Sequence, residues 1–156
     1  MLTRANTKFS KIGFKNEKWH IEFEYLGIPN SSAISYVNNE RPRPEFREAL
    51  SGAAKVFQRL LRLHELINQV VDVVHFKFLD NVMHIQVEGR LLVDDLEITA
   101  KTQKIPETAT DKIVSHLTDD EIEIFETLQD EAIEYLNGNR SQLALGFDGG
   151  DDEPNQ

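Results

Sequence analysis

Apolar and polar positions change period three times along this chain, and each change marks a new element. Trp19, Ile21, Phe23 and Tyr25 alternate with His20, Glu22 and Glu24, which is the period of a strand with one dry face. A turn at Asn16-Glu17 sets Phe14 opposite Trp19 and Ile12 opposite Ile21, so the segment reads as a hairpin. Gly27-Ile28-Pro29-Asn30-Ser31-Ser32 breaks the alternation, Ala33 to Val37 reads as a third short strand, and Pro42 and Pro44 punctuate a helix start.

From Glu45 the period becomes 3.6. Phe46, Leu50, Ala53, Ala54, Phe57, Leu60, Leu61 and Ile67 recur at spacings of three and four. The spacing predicts one helix of about six turns, over roughly 45–68, facing a core. Its opposite side carries Lys55, Arg59 and Arg62 at i, i+4 and i+7. Two readings of these cations stand: an ordinary solvated helix face, or a stripe that contacts phosphates. After Val70 alternation returns through Val74, Phe76 and Phe78, Met83, Ile85 and Val87, Leu91 and Val93, then Leu96, Ile98 and Ala100. Turns at Asp80-Asn81 and Asp94-Asp95 make this a three-stranded meander. Its expected register sets Phe78 against Met83, Phe76 against Ile85, Lys77 against His84, Leu91 against Ile98 and Glu88 against Lys101, so apolar meets apolar and opposite charges meet.

Pro106 to Leu117 is ambiguous, with a short helix expected around Ile113, Val114 and Leu117. Thr118-Asp119-Asp120-Glu121 reads as a capping box for a last helix through Ile122, Phe125, Leu128, Ala132 and Leu136, stopped at Asn137-Gly138. The predicted fold class is therefore α+β: an antiparallel sheet of five or six strands, a long helix on its apolar face and a C-terminal helix. An oligonucleotide-binding barrel shares this element order and is the second choice, although a six-turn helix is long for it. One domain is expected over 1–138, followed by an acidic tail over 139–156 that is too polar to pack.

Composition narrows the function classes. With 156 residues and 40% apolar content, the chain can bury a core without staples, and the absence of Cys excludes a disulfide framework, a thiolate zinc site and a Cys nucleophile. No apolar run approaches a membrane span and no signal-peptide pattern is visible, so a soluble cytoplasmic protein without a membrane role is expected. The net charge of −10 is unevenly spread. Residues 1–70 carry a balance of +4 and residues 71–156 one of −14, so the first part can touch phosphates and the second cannot.

Signals for chemistry are sparse. There is no phosphate-cradling Gly-rich loop, no nucleophile elbow and no metalloprotease helix motif. His75, Lys77 and His84 are expected to share the wetter face of the meander, where Glu88 is the nearest carboxylate and the metal site stays incomplete. Trp19 shares parity with Ile21 and Phe23 and is read as core rather than as a base-stacking residue. No catalytic residue, metal or cofactor is assigned, and no enzymatic activity is expected.

One segment is out of place. Gln142-Leu143-Ala144-Leu145-Gly146-Phe147 carries three large apolar side chains between the end of the last helix and a run of Asp and Gly. Such a segment either folds back on the protein's own last helix or is a peptide that another protein reads. It resembles the hexapeptide by which bacterial polymerases, repair proteins and initiator regulators dock on the replicative sliding clamp, with Gln first, Leu second, Leu fourth and Leu or Phe sixth. Gln142, Leu143, Leu145 and Phe147 fill all four positions, and the resemblance implies that Leu145 and Phe147 enter an apolar pocket while the Gln142 amide is bonded at its rim. Gly146 departs from the Pro often found there. Residues 131–142 and onward are also similar to the C-terminus of small uncharacterised phage and prophage proteins, which implies a setting in phage DNA metabolism.

The leading expectation is a non-enzymatic accessory of bacterial or phage DNA replication or recombination, docked on the sliding clamp by this peptide. The alternative is a module for single- or double-stranded DNA that uses Arg41, Arg43, Arg47, Lys55, Arg59 and Arg62. A third is a small phage inhibitor whose acidic part mimics DNA. Oligomeric state is not legible in the pattern.

Overall fold

A computed structural model describes residues 1–27, 33–64, 67–110 and 115–140. The elements run β1 (Thr7–Lys15), β2 (Lys18–Tyr25), β3 (Ala33–Asn38), α1 (Pro44–Gly52), α2 (Ala54–Leu61), β4 (Asn68–Leu79), β5 (Val82–Val93), β6 (Leu96–Lys101), β7 (Ile105–Pro106) and α3 (Asp119–Leu136). The fold is α+β. One antiparallel sheet has the order β3-β2-β1-β4-β5-β6, with the two-residue β7 also paired to β5. It is an open sheet, not a barrel: β3 and β6 lie at opposite ends of the order.

Turn chemistry sets the register. Asn16 and Glu17, and again Asp80 and Asn81, have positive φ at both central positions, the geometry whose twist matches a two-residue hairpin. Phe14 accordingly faces Trp19 and Ile12 faces Ile21, while Phe78 faces Met83, Phe76 faces Ile85 and Lys77 faces His84. The next hairpin pairs Leu91 with Ile98 and Glu88 with Lys101. Each of these pairs is the one that the alternation implies.

The helices cover the apolar face. Ile12, Ile21, Val74, Phe76, Ile85 and Val87 from the sheet pack in one core with Phe46, Phe57, Phe125 and Leu128 from the helices. Trp19 stacks on Phe46 at 3.9 Å between ring centroids, and Tyr135 approaches both rings, so the indole is core as its parity indicates. Phe125 meets Phe76 edge-on, which holds α3 over the middle of the sheet.

Three expectations need correction. The single helix over 45–68 is two: Ala53 ends α1 and starts α2, with its N–H bonded to the carbonyl of Leu50 three residues back. That tighter turn breaks the α-ladder at Ser51-Gly52, two weak helix formers, while the apolar spacing runs on because both helices face the same core. Arg62 then closes α2 in the left-handed conformation, φ 55°, and the chain is extended again by Asn68. Around Pro106 to Leu117 there is a strand, β7, and Leu117 is a buried non-helical residue whose N–H bonds to the Pro106 carbonyl; the expected helical stretch at Ile113 and Val114 lies outside the described residues. His84 is buried rather than on a wet face, because Pro106 of β7 pairs beside it.

The capping box forms as the sequence demands: the Thr118 hydroxyl accepts from the Glu121 N–H at 3.2 Å, and the Glu121 carboxylate accepts from the Thr118 N–H at 2.9 Å. At the other end Gly138 takes φ 93°. The chain stays on the body for two residues more. The Arg140 guanidinium donates to Glu40 at 2.6 Å and to the Tyr36 hydroxyl at 2.7 Å and lies over the Tyr135 ring, while its backbone bridges to Pro42.

Candidate functional site

Two of the three cations read from the helical spacing meet in a cleft. The last turn of α2 places Arg59, Leu60, Leu61 and Arg62 along one wall, and Lys101, Gln103, Lys104 and Ile105, from the end of β6 to β7, form the other. Ser115 closes one side, and the space enclosed is about 550 Å³, within the usual range for a ligand site. Four cations from two distant stretches thus line one concavity.

Local geometry explains how each arrives. Arg59 follows the buried Val56 by one turn of α2. It reaches the first turn of α3 and donates to the Glu121 carboxylate through Nε and Nη2, both at 2.6 Å. Burial alone would raise the Glu121 carboxyl. The Arg59 and Thr118 hydrogen bonds outweigh it and hold the group below the usual carboxylate range, and the Arg59 guanidinium is pushed up in turn. Arg62, the left-handed cap of α2, lines the same cleft as Arg59. Lys55 does not line the cleft.

The cations therefore fall into two groups. Arg59 is held by Glu121, and Lys101 lies 3.8 Å from Glu88. Arg62 and Lys104 have no ion pair among the described residues. Glu88 also meets His75 at 3.1 Å. Burial pushes its carboxyl up, but His75 and Lys101 bring it below the ordinary range.

The remaining basic residues do not form one patch. Arg43 is clamped by the two oxygens of Glu131 at 2.8 Å, Arg47 lies over the Phe14 ring at 4.9 Å, and Arg41 is exposed in the loop before α1. Lys101 and Lys104 were missed in the sequence because they follow Arg62 by some forty positions and only the sheet order returns them to α2. The one available signal was that these two Lys are the only cations between Arg90 and Lys112.

Among the described residues no group of three or more His, Asp or Glu side chains is placed to hold a metal ion. His75 has Glu88, but His84 turns its Nδ1 to the Val82 carbonyl at 2.9 Å. No described helix is long and apolar enough to cross a membrane. Gln142, Leu143, Leu145 and Phe147 lie outside the described residues.

Compared with known protein families, curated proteins and solved structures, the chain shows no match.

Proposed function

We propose that the protein is a non-enzymatic accessory of DNA replication or recombination, in the cytoplasm of a bacterial or phage-infected cell, tethered to the replicative sliding clamp by Gln142, Leu143, Leu145 and Phe147. The observation that carries this reading is the hexapeptide itself, with all four anchor positions filled. The test is binding to purified bacterial sliding clamp by the full chain and by a chain ending at Arg140. Binding by the full chain alone supports the reading, and equal binding or none by both defeats it.

A second reading concerns the body, and the cleft favours it. Arg62 and Lys104, which have no ion pair among the described residues, stand beside Arg59 and Lys101 and suit the phosphates of single- or double-stranded DNA. Phosphate contacts carry no base sequence, so this binding is indifferent to sequence and falls steeply with salt. Absence of any DNA binding at low salt removes the second reading and leaves the first standing.

A further inference from the structure

The strand β6 is an end strand of the described sheet. It pairs with β5 along one edge, and among the described residues no strand pairs with the other. Proteins normally blunt such an edge, yet β6 offers Leu96 at 66% and Ile98 at 46% exposure on the face that continues the apolar side of the sheet.

The backbone directions fix what can pair there. The Thr102 N–H donates to the Val87 carbonyl at 2.9 Å, and the β5–β6 register is unbroken from Glu88–Lys101 to Val93–Leu96. In an antiparallel ladder every second residue bonds to the same neighbour. Ala100, Ile98 and Leu96 therefore bond inward to β5, and the N–H and C=O groups of Glu97, Thr99 and Lys101 point outward, with no strand partner among the described residues.

We propose that two copies of the chain join through β6, antiparallel, about a two-fold axis at Ile98. Outward-pointing residues must meet outward-pointing residues, so the axis passes through a residue rather than between two. An axis at Glu97 sets Glu97 against its own copy, a like-charge pair. An axis at Thr99 sets Leu96 against Thr102, whose N–H and hydroxyl are already engaged with Val87, and it shortens the overlap. The axis at Ile98 uses the whole strand. Ile98 meets the second copy's Ile98, Leu96 meets the second copy's Ala100, Glu97 exchanges its backbone bonds with the second copy's Thr99, and Asp95 stands opposite the second copy's Lys101. Apolar faces apolar on one side of the joined sheet and opposite charges meet on the other, a self-complementary patch of the kind a two-fold dimer requires.

The chain has no Cys, so one introduced thiol reports this contact without background. Ile98 and its copy form a non-hydrogen-bonded pair about 4.5 Å apart between Cα atoms, within the span of a disulfide. Thr99 and its copy, offset by two residues, stand about 8 Å apart and cannot be bridged. On mild oxidation of the full chain, Ile98→Cys is expected to give a covalent dimer in high yield and Thr99→Cys to stay uncrosslinked. Sedimentation should show the wild type as a dimer and Ile98→Lys as a folded monomer by circular dichroism. A monomeric wild type, or crosslinking of Ile98→Cys no greater than that of Thr99→Cys, overturns the proposal.

Discussion

The Arg59 guanidinium grips the Glu121 carboxylate through two hydrogen bonds of 2.6 Å, and Glu121 is at the same time the returning half of the capping box that starts α3. One carboxylate thus ties the end of α2, and with it the Arg59 wall of the basic cleft, to the beginning of α3. Its replacement by Ala removes a cap and leaves a cation without its partner. Glu121→Ala is expected to cost about 2 kcal/mol in chemical denaturation, with Thr118→Ala costing about 1 kcal/mol.

The same carboxylate gives a pH dependence of known sign. Its folded value is held below the ordinary carboxylate range by the Arg59 and Thr118 hydrogen bonds, so the unfolded chain binds the proton more readily. The stability that it contributes is complete above that ordinary value and is lost as pH falls through the folded one. Glu107, raised by burial and by Glu126, acts in the opposite direction. The difference between wild type and Glu121→Gln isolates the first effect: the two stability curves should converge on acidification below about pH 4. A constant gap across that range would contradict the assignment.

The cleft and the helical stripe make different predictions for DNA. If phosphates enter the cleft, Arg62→Ala with Lys104→Ala weakens binding equally for all sequences and lowers the slope of log affinity against log salt by up to about 1.8. Lys55→Ala, outside the cleft, should change neither. A salt titration that responds to Lys55 and not to Lys104 would return the site to the stripe.

Arg140 is predicted to belong to the folded body. Its side chain is 14% exposed and is held by Glu40, the Tyr36 hydroxyl and the Tyr135 ring. Arg140→Ala is expected to destabilise the protein by about 1–2 kcal/mol. Burial pushes the Tyr135 hydroxyl up to about 12, so its ultraviolet titration should lag behind that of an exposed tyrosine.

Strand pairing was legible in the sequence because alternation and two-residue turns state parity and register together: once Asp80-Asn81 is a turn, Phe76 can face only Ile85. Likewise Thr118 and Glu121 announce their helix without help from the rest of the chain. The break at Ala53 was hidden because Leu50, Ala53, Ala54 and Phe57 keep helical spacing on both sides of it. The burial of His84 depends on β7, two residues too short to show a period. Half of the cleft was hidden for a related reason: Arg59 and Arg62 share a helical spacing, whereas Lys101 and Lys104 join them only through the order of strands in the sheet.

The most direct measurement is calorimetric titration of purified bacterial sliding clamp with the full chain and with the Gln142→Ala, Phe147→Ala double variant, paired with thermal melting of both. Saturable binding by the wild type, abolished in the double variant at an unchanged melting temperature, is the predicted result. A variant that melts several degrees lower would mean that these side chains pack on their own domain, and a wild type that does not bind the clamp would contradict the account outright.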